Sequence, residues 1–168
     1  MKENYKKLNS VLFVDNHEIF SYEYLSAQGL IYRGTMINNA KEGYGILKDK
    51  KTGMVRIEGN FKNNKLHGKC IKVYNTYGDL NYEGDMVNDK KEGFGKEYHW
   101  SNGSLRYEGY FQNDEPHGKN VKIFNSNSEI EYSGEIFEGM KIEGTGKLYH
   151  KNGNLKYEGS FKGDKPYG

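Results

Sequence analysis

The sequence predicts an all-β protein, an elongated single-layer antiparallel meander resembling a β-solenoid and built from about six hairpins of 25 residues. Three observations lead there. The glycine of a Tyr-x-Gly-x-aromatic/Met element recurs at Gly34, Gly59, Gly84, Gly109, Gly134 and Gly159, always 25 residues apart, with Ile57 and Ile136 as substitutions at the flanking slots. Such a fixed period marks a repeat architecture and takes precedence over any local reading. Around each glycine, apolar and polar residues alternate with period two, as in Leu105, Tyr107, Gly109 and Phe111 against Arg106, Glu108 and Tyr110, the pattern of a strand with one dry and one wet face. After each such strand comes a residue pair that tolerates positive φ: Asn38-Asn39, Asn63-Asn64, Asn88-Asp89, Asn113-Asp114 and Gly163-Asp164.

Residues 1–29 come first and fit the period poorly. A degenerate unit runs through Val11, Phe13, Phe20, Tyr22 and Tyr24, so this stretch is expected to form an N-terminal cap. The array proper covers 30–168, with units starting near 30, 55, 80, 105, 130 and 155. In each unit a second strand follows the turn, for example Lys69 to Val73 or Lys119 to Ile123. A three-residue loop at Asn113 would set Phe111 opposite His117 and Tyr107 opposite Val121, and it keeps Val121 and Ile123 on the dry face; pattern consistency therefore favours the odd-numbered loop. Turns such as Ser101 to Ser104 and Lys151 to Asn154 return the chain to the next unit. The glycine inside the first strand leaves room that flanking rings can cover.

A 50-residue alternation overlies the 25-residue one. Odd units carry Glu-Gly-x-Gly, at 42–45, 92–95 and 143–146, and two even units carry His-Gly-Lys, at 67–69 and 117–119. Neighbouring hairpins thus face different surroundings.

Composition fits this organisation. An apolar fraction of 35% with 22 Gly is meagre for a two-layer core, yet 15 Tyr, 8 Phe and one Trp are too many aromatics for a disordered chain. A net charge of +2, from 25 basic and 23 acidic residues, gives no field for nucleic acid. The longest apolar run near the start, Val11 to Val14, is too short for a membrane span or a leader core. One cysteine, Cys70, excludes an internal disulfide framework and a cysteine-based zinc site, and a cytoplasmic location is expected.

The stretches Tyr107 to Phe111, Glu92 to Gly95 and Asn102 to Gly109 resemble the MORN (membrane occupation and recognition nexus) repeat, and the resemblance covers residues 30–168. The Asn-Gly-x-Leu-x-Tyr-Glu-Gly segments look particularly like the variant in antitoxin or immunity proteins. The resemblance implies an open, groove-like sheet used for protein interaction, self-association or peripheral membrane contact, with no catalytic activity and no cofactor.

Candidate chemistry is sparse. His67 and His117 lie four strand spacings apart, roughly 19 Å, too far to share a metal. Glu58, Glu83, Glu108 and Glu158 form a wet-face row that reads as a solvated charge ladder. The odd-unit Gly-x-Gly lacks the third glycine and helix of a phosphate loop and reads as a hairpin turn. Lys96, Tyr98 and Trp100 interleave charge with rings, but near-neutral charge argues against base stacking. Cys70 reads as a lone buried or half-buried thiol. The row Tyr32, Tyr82, Tyr107, Tyr132 and Tyr157 is expected mainly to pack on itself. Tyr110 among wet-face residues and Trp100 at a strand end are better placed for contact, because exposed apolar area on a single sheet marks an interaction surface. The candidate partner-binding residues are therefore Tyr98, Trp100 and Tyr110, with Tyr82, Tyr107 and Tyr132 from the row. The expected function is a non-enzymatic scaffold that presents an aromatic-lined groove and sheet edges to a protein partner or a second copy. A toxin-neutralising immunity protein and a peripheral phospholipid binder are the alternatives.

Overall fold

The computed structural model describes residues 5–14, 17–25, 29–137 and 141–168, with side chains for 29–137 and 142–168. The strands are β1 (Tyr5–Val14), β2 (His17–Leu25), β3 (Leu30–Ile37), β4 (Ala40–Asp49), β5 (Val55–Lys62), β6 (Lys65–Leu66), β7 (Gly68–Tyr74), β8 (Leu80–Val87), β9 (Lys90–Tyr98), β10 (Leu105–Gln112), β11 (Glu115–Pro116), β12 (Gly118–Phe124), β13 (Ile130–Phe137), β14 (Lys141–Tyr149), β15 (Leu155–Lys162) and β16 (Lys165–Tyr167). Fourteen of them follow one another in a single antiparallel sheet in chain order, while the two-residue β6 and β11 pair with β5 and β10. Among the described residues there is no helix. The chain divides into two units, residues 1–80 with 86–89 and residues 81–85 with 90–168.

In the first unit β1 and β2 pair as a hairpin and β2 continues onto β3, with Tyr22 opposite Gly34. The side chains of Val11, Phe13, Phe20, Tyr22 and Tyr24 lie outside the described residues.

The hairpin turns have two residues, not three. At Asn63-Asn64 and Asn113-Asp114 both φ angles are positive (49° and 69°, 50° and 74°), as a primed turn demands and as Asn and Asp tolerate. Lys62 then faces Lys65 and Gln112 faces Glu115. The dry-face placement of Val121 survives for a different reason. Beyond the turn Phe111 faces Pro116, yet Tyr107 faces Ile123, so the returning strand carries three extra residues around His117-Gly118. An odd insertion moves the following side chains to the other face. Val121, 1% exposed, therefore sits over Gly109 instead of opposite Tyr107; a Cβ on Gly109 would lie 3.0 Å from the Val121 Cα. Ile71 and Gly59 repeat this arrangement.

Odd hairpins use a different insertion. Thr35 faces Glu42 but Gly34 faces Gly45, which adds two residues, Gly43 and Tyr44. The Gly-x-Gly motif is thus a bulge inside a strand, not the hairpin turn. An even insertion preserves the face and leaves two glycines opposite each other. The ring of the tyrosine on the same strand fills the gap: a Cβ on Gly84 would fall 2.5 Å from both the Tyr82 hydroxyl and the Gly95 Cα. Each such hydroxyl donates to the carbonyl three residues on: Tyr32 to Thr35 at 3.0 Å, Tyr82 to Asp85 at 2.8 Å and Tyr132 to Glu135 at 2.9 Å.

These tyrosines meet the phenylalanine of the following hairpin edge-on, Tyr32 with Phe61 at 5.3 Å, Tyr82 with Phe111 at 5.5 Å and Tyr132 with Phe161 at 5.5 Å. Lys41 and Lys91 place their ammonium groups over the first two pairs. Each buried ring contributes about 1.5–3 kcal/mol by burial and each edge-on pair about 0.5–1.5 kcal/mol more. The 50-residue alternation is thus a packing rule: an odd hairpin supplies the tyrosine and the next even one caps it. Burial pushes the Tyr32 phenol up to about 12, with Glu42 adding to the effect. It likewise pushes Tyr132 up to about 12 and raises Tyr82, aided there by Asp85, Asp114 and Glu97.

Neighbouring hairpins are also tied at their turns. The second turn residue exchanges two hydrogen bonds with the preceding hairpin: the Lys91 N–H donates to the Asp114 carboxylate at 2.8 Å, and the Asp114 N–H donates back to the Lys91 carbonyl at 3.1 Å. Asn64 with Lys41, Asp89 with Leu66 and Asp164 with Ile142 do the same. The glutamate of Glu-Gly-x-Gly accepts from the first turn residue of the next hairpin, Glu42 from Asn63 at 2.7 Å and Glu92 from Asn113 at 3.0 Å.

Candidate interaction surface

The two faces separate the six sequence-predicted residues. Tyr82, Tyr107 and Tyr132 are buried on the apolar face, Tyr82 and Tyr132 under the glycine pairs described above and Tyr107 beneath the Arg106 guanidinium at 4.7 Å. Tyr98 at the end of β9 is half-buried, and burial raises its phenol, with Glu83 and Glu108 adding to the shift. Trp100, in the turn after β9, is 54% exposed, and Tyr110 on β10 is 57% exposed.

Tyr110 has a partner that the sequence reading passed over. Across the β9–β10 ladder it faces Phe94, the variable residue of Glu-Gly-x-Gly; the rings meet edge-on at 5.8 Å with Phe94 45% exposed. The equivalent residue in the first unit, Tyr44, is 53% exposed and donates its hydroxyl to Glu58 at 2.6 Å, which raises the Tyr44 phenol. The available signal was a large ring between two glycines. A tight turn would favour small residues there, whereas a strand bulge re-aims its side chain outward.

The surrounding wet face is polar and paired. Glu108 sits between Lys96 at 3.9 Å and Lys122 at 3.5 Å, and Lys147 meets Glu158 at 3.0 Å. On the apolar side Glu97, opposite Tyr107, accepts from Arg106 at 3.1 Å and also pairs with Lys91. Within the glutamate row, Glu108 and Glu158 are thus ion-paired across strands, while Glu58 accepts from the Tyr44 hydroxyl. Exposed pairs of this kind contribute about 0–1 kcal/mol each and mainly fix local charge order.

The remaining candidates lie in bulges. The backbone N–H groups of His67 and His117 close the even-hairpin insertion by donating to the Asn60 and Tyr110 carbonyls at 3.0 and 2.8 Å, and the His117 ring packs on Phe137. Among the described residues no group of three His, Cys, Asp or Glu could hold a metal ion. Cys70 is exposed rather than buried, because the insertion holds it at a positive φ of 54° and turns it off the sheet face.

The sequence model of the MORN repeat matches residues 32–52, 58–78, 82–105 and 107–128, together just over half of the chain. The chain belongs to the MORN repeat family. No curated protein matches it. MORN repeats are in general scaffolds for protein or membrane interaction and are generally non-catalytic. The four matched MORN units contain Tyr44, Phe94, Trp100 and Tyr110. Beyond residue 128 the same hairpin geometry continues in β13 to β16, with Gly134 facing Gly146 and Gly146 facing Gly159.

Proposed function

We propose that this MORN array is a non-catalytic scaffold that binds a protein partner, or a second copy of itself, through the aromatic residues on its polar face. The exposed Phe94–Tyr110 pair carries this reading. Two large rings held edge-on by a rigid ladder offer contact area at little ordering cost, and such anchors dominate binding energy where they occur. Trp100, in the turn after β9, adds a further exposed ring, and the ion-paired row around Glu108 supplies a polar rim. The lone exposed thiol of Cys70 supports a reducing, cytoplasmic setting.

The test replaces the pair with the residues that the chain itself uses at the equivalent ladder position, Thr145 opposite Ser160. The double variant Phe94→Thr/Tyr110→Ser is therefore compatible with the fold. Sedimentation velocity and affinity capture from the native source would be compared for the two proteins. Loss of self-association or of the captured partner, by about 30-fold or more in affinity, is expected. Identical assemblies and partners at unchanged affinity would refute the reading.

A further inference from the structure

The wet-face charge ladder breaks its own pattern at one strand. Following cross-strand neighbours from β9 to β15, the row reads Lys96, Glu108, Lys122, Ser133, Lys147 and Glu158. Cation and anion alternate except at Ser133, which stands between Lys122 and Lys147 at the position that four other repeats fill with Glu58, Glu83, Glu108 and Glu158 and the first fills with Arg33. One step along the strands, Thr145 opposite Ser160 occupies the ladder position filled by Phe94 opposite Tyr110. With a small residue at each point the face is hollow there. A concavity of about 380 Å³ opens over Gly134, Gly146 and Gly159, and its walls are Lys119, Asn120, Ser133, Thr145, Lys147 and Glu158.

We propose that this concavity is a binding site for a phosphate monoester. Lys119 and Lys147 supply ammonium donors, Ser133 and Thr145 supply hydroxyls, and Asn120 an amide, a three-dimensional donor set that suits a tetrahedral oxyanion better than a planar carboxylate. A dianion placed beside Ser133 completes the alternation and competes with Glu158 for Lys147. The volume exceeds that of a phosphate group, so the carrier of the ester lies in the hollow too. The Phe94–Tyr110 surface contributes nothing to this site, so the site stands or falls separately from the scaffold reading.

The full chain would be titrated with inorganic phosphate and with glycerol 3-phosphate, following backbone amide shifts by NMR. A parallel arm measures co-sedimentation with phosphatidylcholine vesicles containing or lacking phosphatidic acid, which separates a soluble ester from a lipid headgroup as the source. Saturable shifts at residues 133, 145 and 147, or sedimentation only with phosphatidic acid, are expected, with dissociation constants of about 1 mM for the soluble ligands. Two variants copy other repeats of the chain and so keep the fold, as circular dichroism would verify: Ser133→Glu restores the carboxylate found at Glu108, and Thr145→Phe restores the ring found at Phe94. Each weakens binding about tenfold or more, whereas Glu158→Gln tightens it about threefold. No saturable shift together with no phosphatidic-acid-dependent sedimentation overturns the proposal. Binding that Ser133→Glu and Thr145→Phe leave unchanged overturns it as well, since the anion would then sit elsewhere.

Discussion

Replacing Asp114 isolates the bond that ties one hairpin to the next. Its carboxylate accepts from the Lys91 N–H at 2.8 Å, and its backbone sits at φ of 74°. Three substitutions separate these two demands. Asp114→Asn keeps the acceptor oxygen and the tolerance for positive φ, as Asn64 does at the same position one even hairpin earlier, and should change stability by no more than about 0.5 kcal/mol. Asp114→Gly keeps the backbone geometry but leaves Lys91 without its side-chain acceptor. A hydrogen bond to a charged group contributes about 1.5–3 kcal/mol, and solvent access at this exposed turn reduces the loss to about 1 kcal/mol. The relief that glycine offers at positive φ roughly offsets its larger unfolded-state entropy. Asp114→Ala loses the bond and adds about 1 kcal/mol or more of left-handed strain, for about 2 kcal/mol in total. Urea unfolding followed by the fluorescence of Trp100 reads the series, and Asp114→Gly should lower Tm by roughly 2–4 °C. The reasoning fails if Asp114→Gly is as stable as the parent, or if Asp114→Asn costs as much as Asp114→Gly.

Other outcomes follow from the same geometry. Gly95→Ala places a Cβ 2.5 Å from the Tyr82 hydroxyl and 2.8 Å from its ring, and thermal melts should show a loss of about 1–3 kcal/mol. Ser128 holds φ of 62° where Gly53, Gly103 and Gly153 serve in equivalent return turns, so Ser128→Gly should raise stability by about 0.5 kcal/mol, measured by urea midpoint. Tyr32 and Tyr132 keep their protons up to about pH 12 when folded, whereas an unfolded tyrosine ionises near 10. The stability they contribute is therefore full below pH 10 and drains away as pH rises to 12, on the order of 2 kcal/mol for each buried ring, and an alkaline titration of the urea midpoint should show that slope.

The sheet was legible in the sequence wherever a single residue type answers a single local demand. The Asn and Asp pairs announced their turns because few other residues accept positive φ twice in succession. The alternation about Gly109 announced its two faces. Register was not legible, because His117-Gly118 and Gly43-Tyr44-Gly45 look alike as glycine-containing breaks while one adds three residues to its strand and the other two. Only the cross-strand partners distinguish them: Val121 covering Gly109 requires an odd insertion, and Tyr82 covering Gly84 and Gly95 requires an even one. The same ambiguity hid Phe94, which reads as part of a turn until the bulge places it opposite Tyr110. The burial of Tyr82 and Tyr132 follows from those glycine pairs, whose lack of side chains lets a ring lie flat along its own strand in a single-layer sheet.

The most direct test of the scaffold account is photo-crosslinking from the polar face. A benzoylphenylalanine at position 110 replaces an exposed ring with another, and one at the exposed hairpin end Lys151 serves as the control. The account predicts a covalent adduct to a protein, whether a second copy or another chain, from position 110 and none from position 151. Equal adducts from both positions, or none from position 110 while the protein is demonstrably assembled, would contradict it.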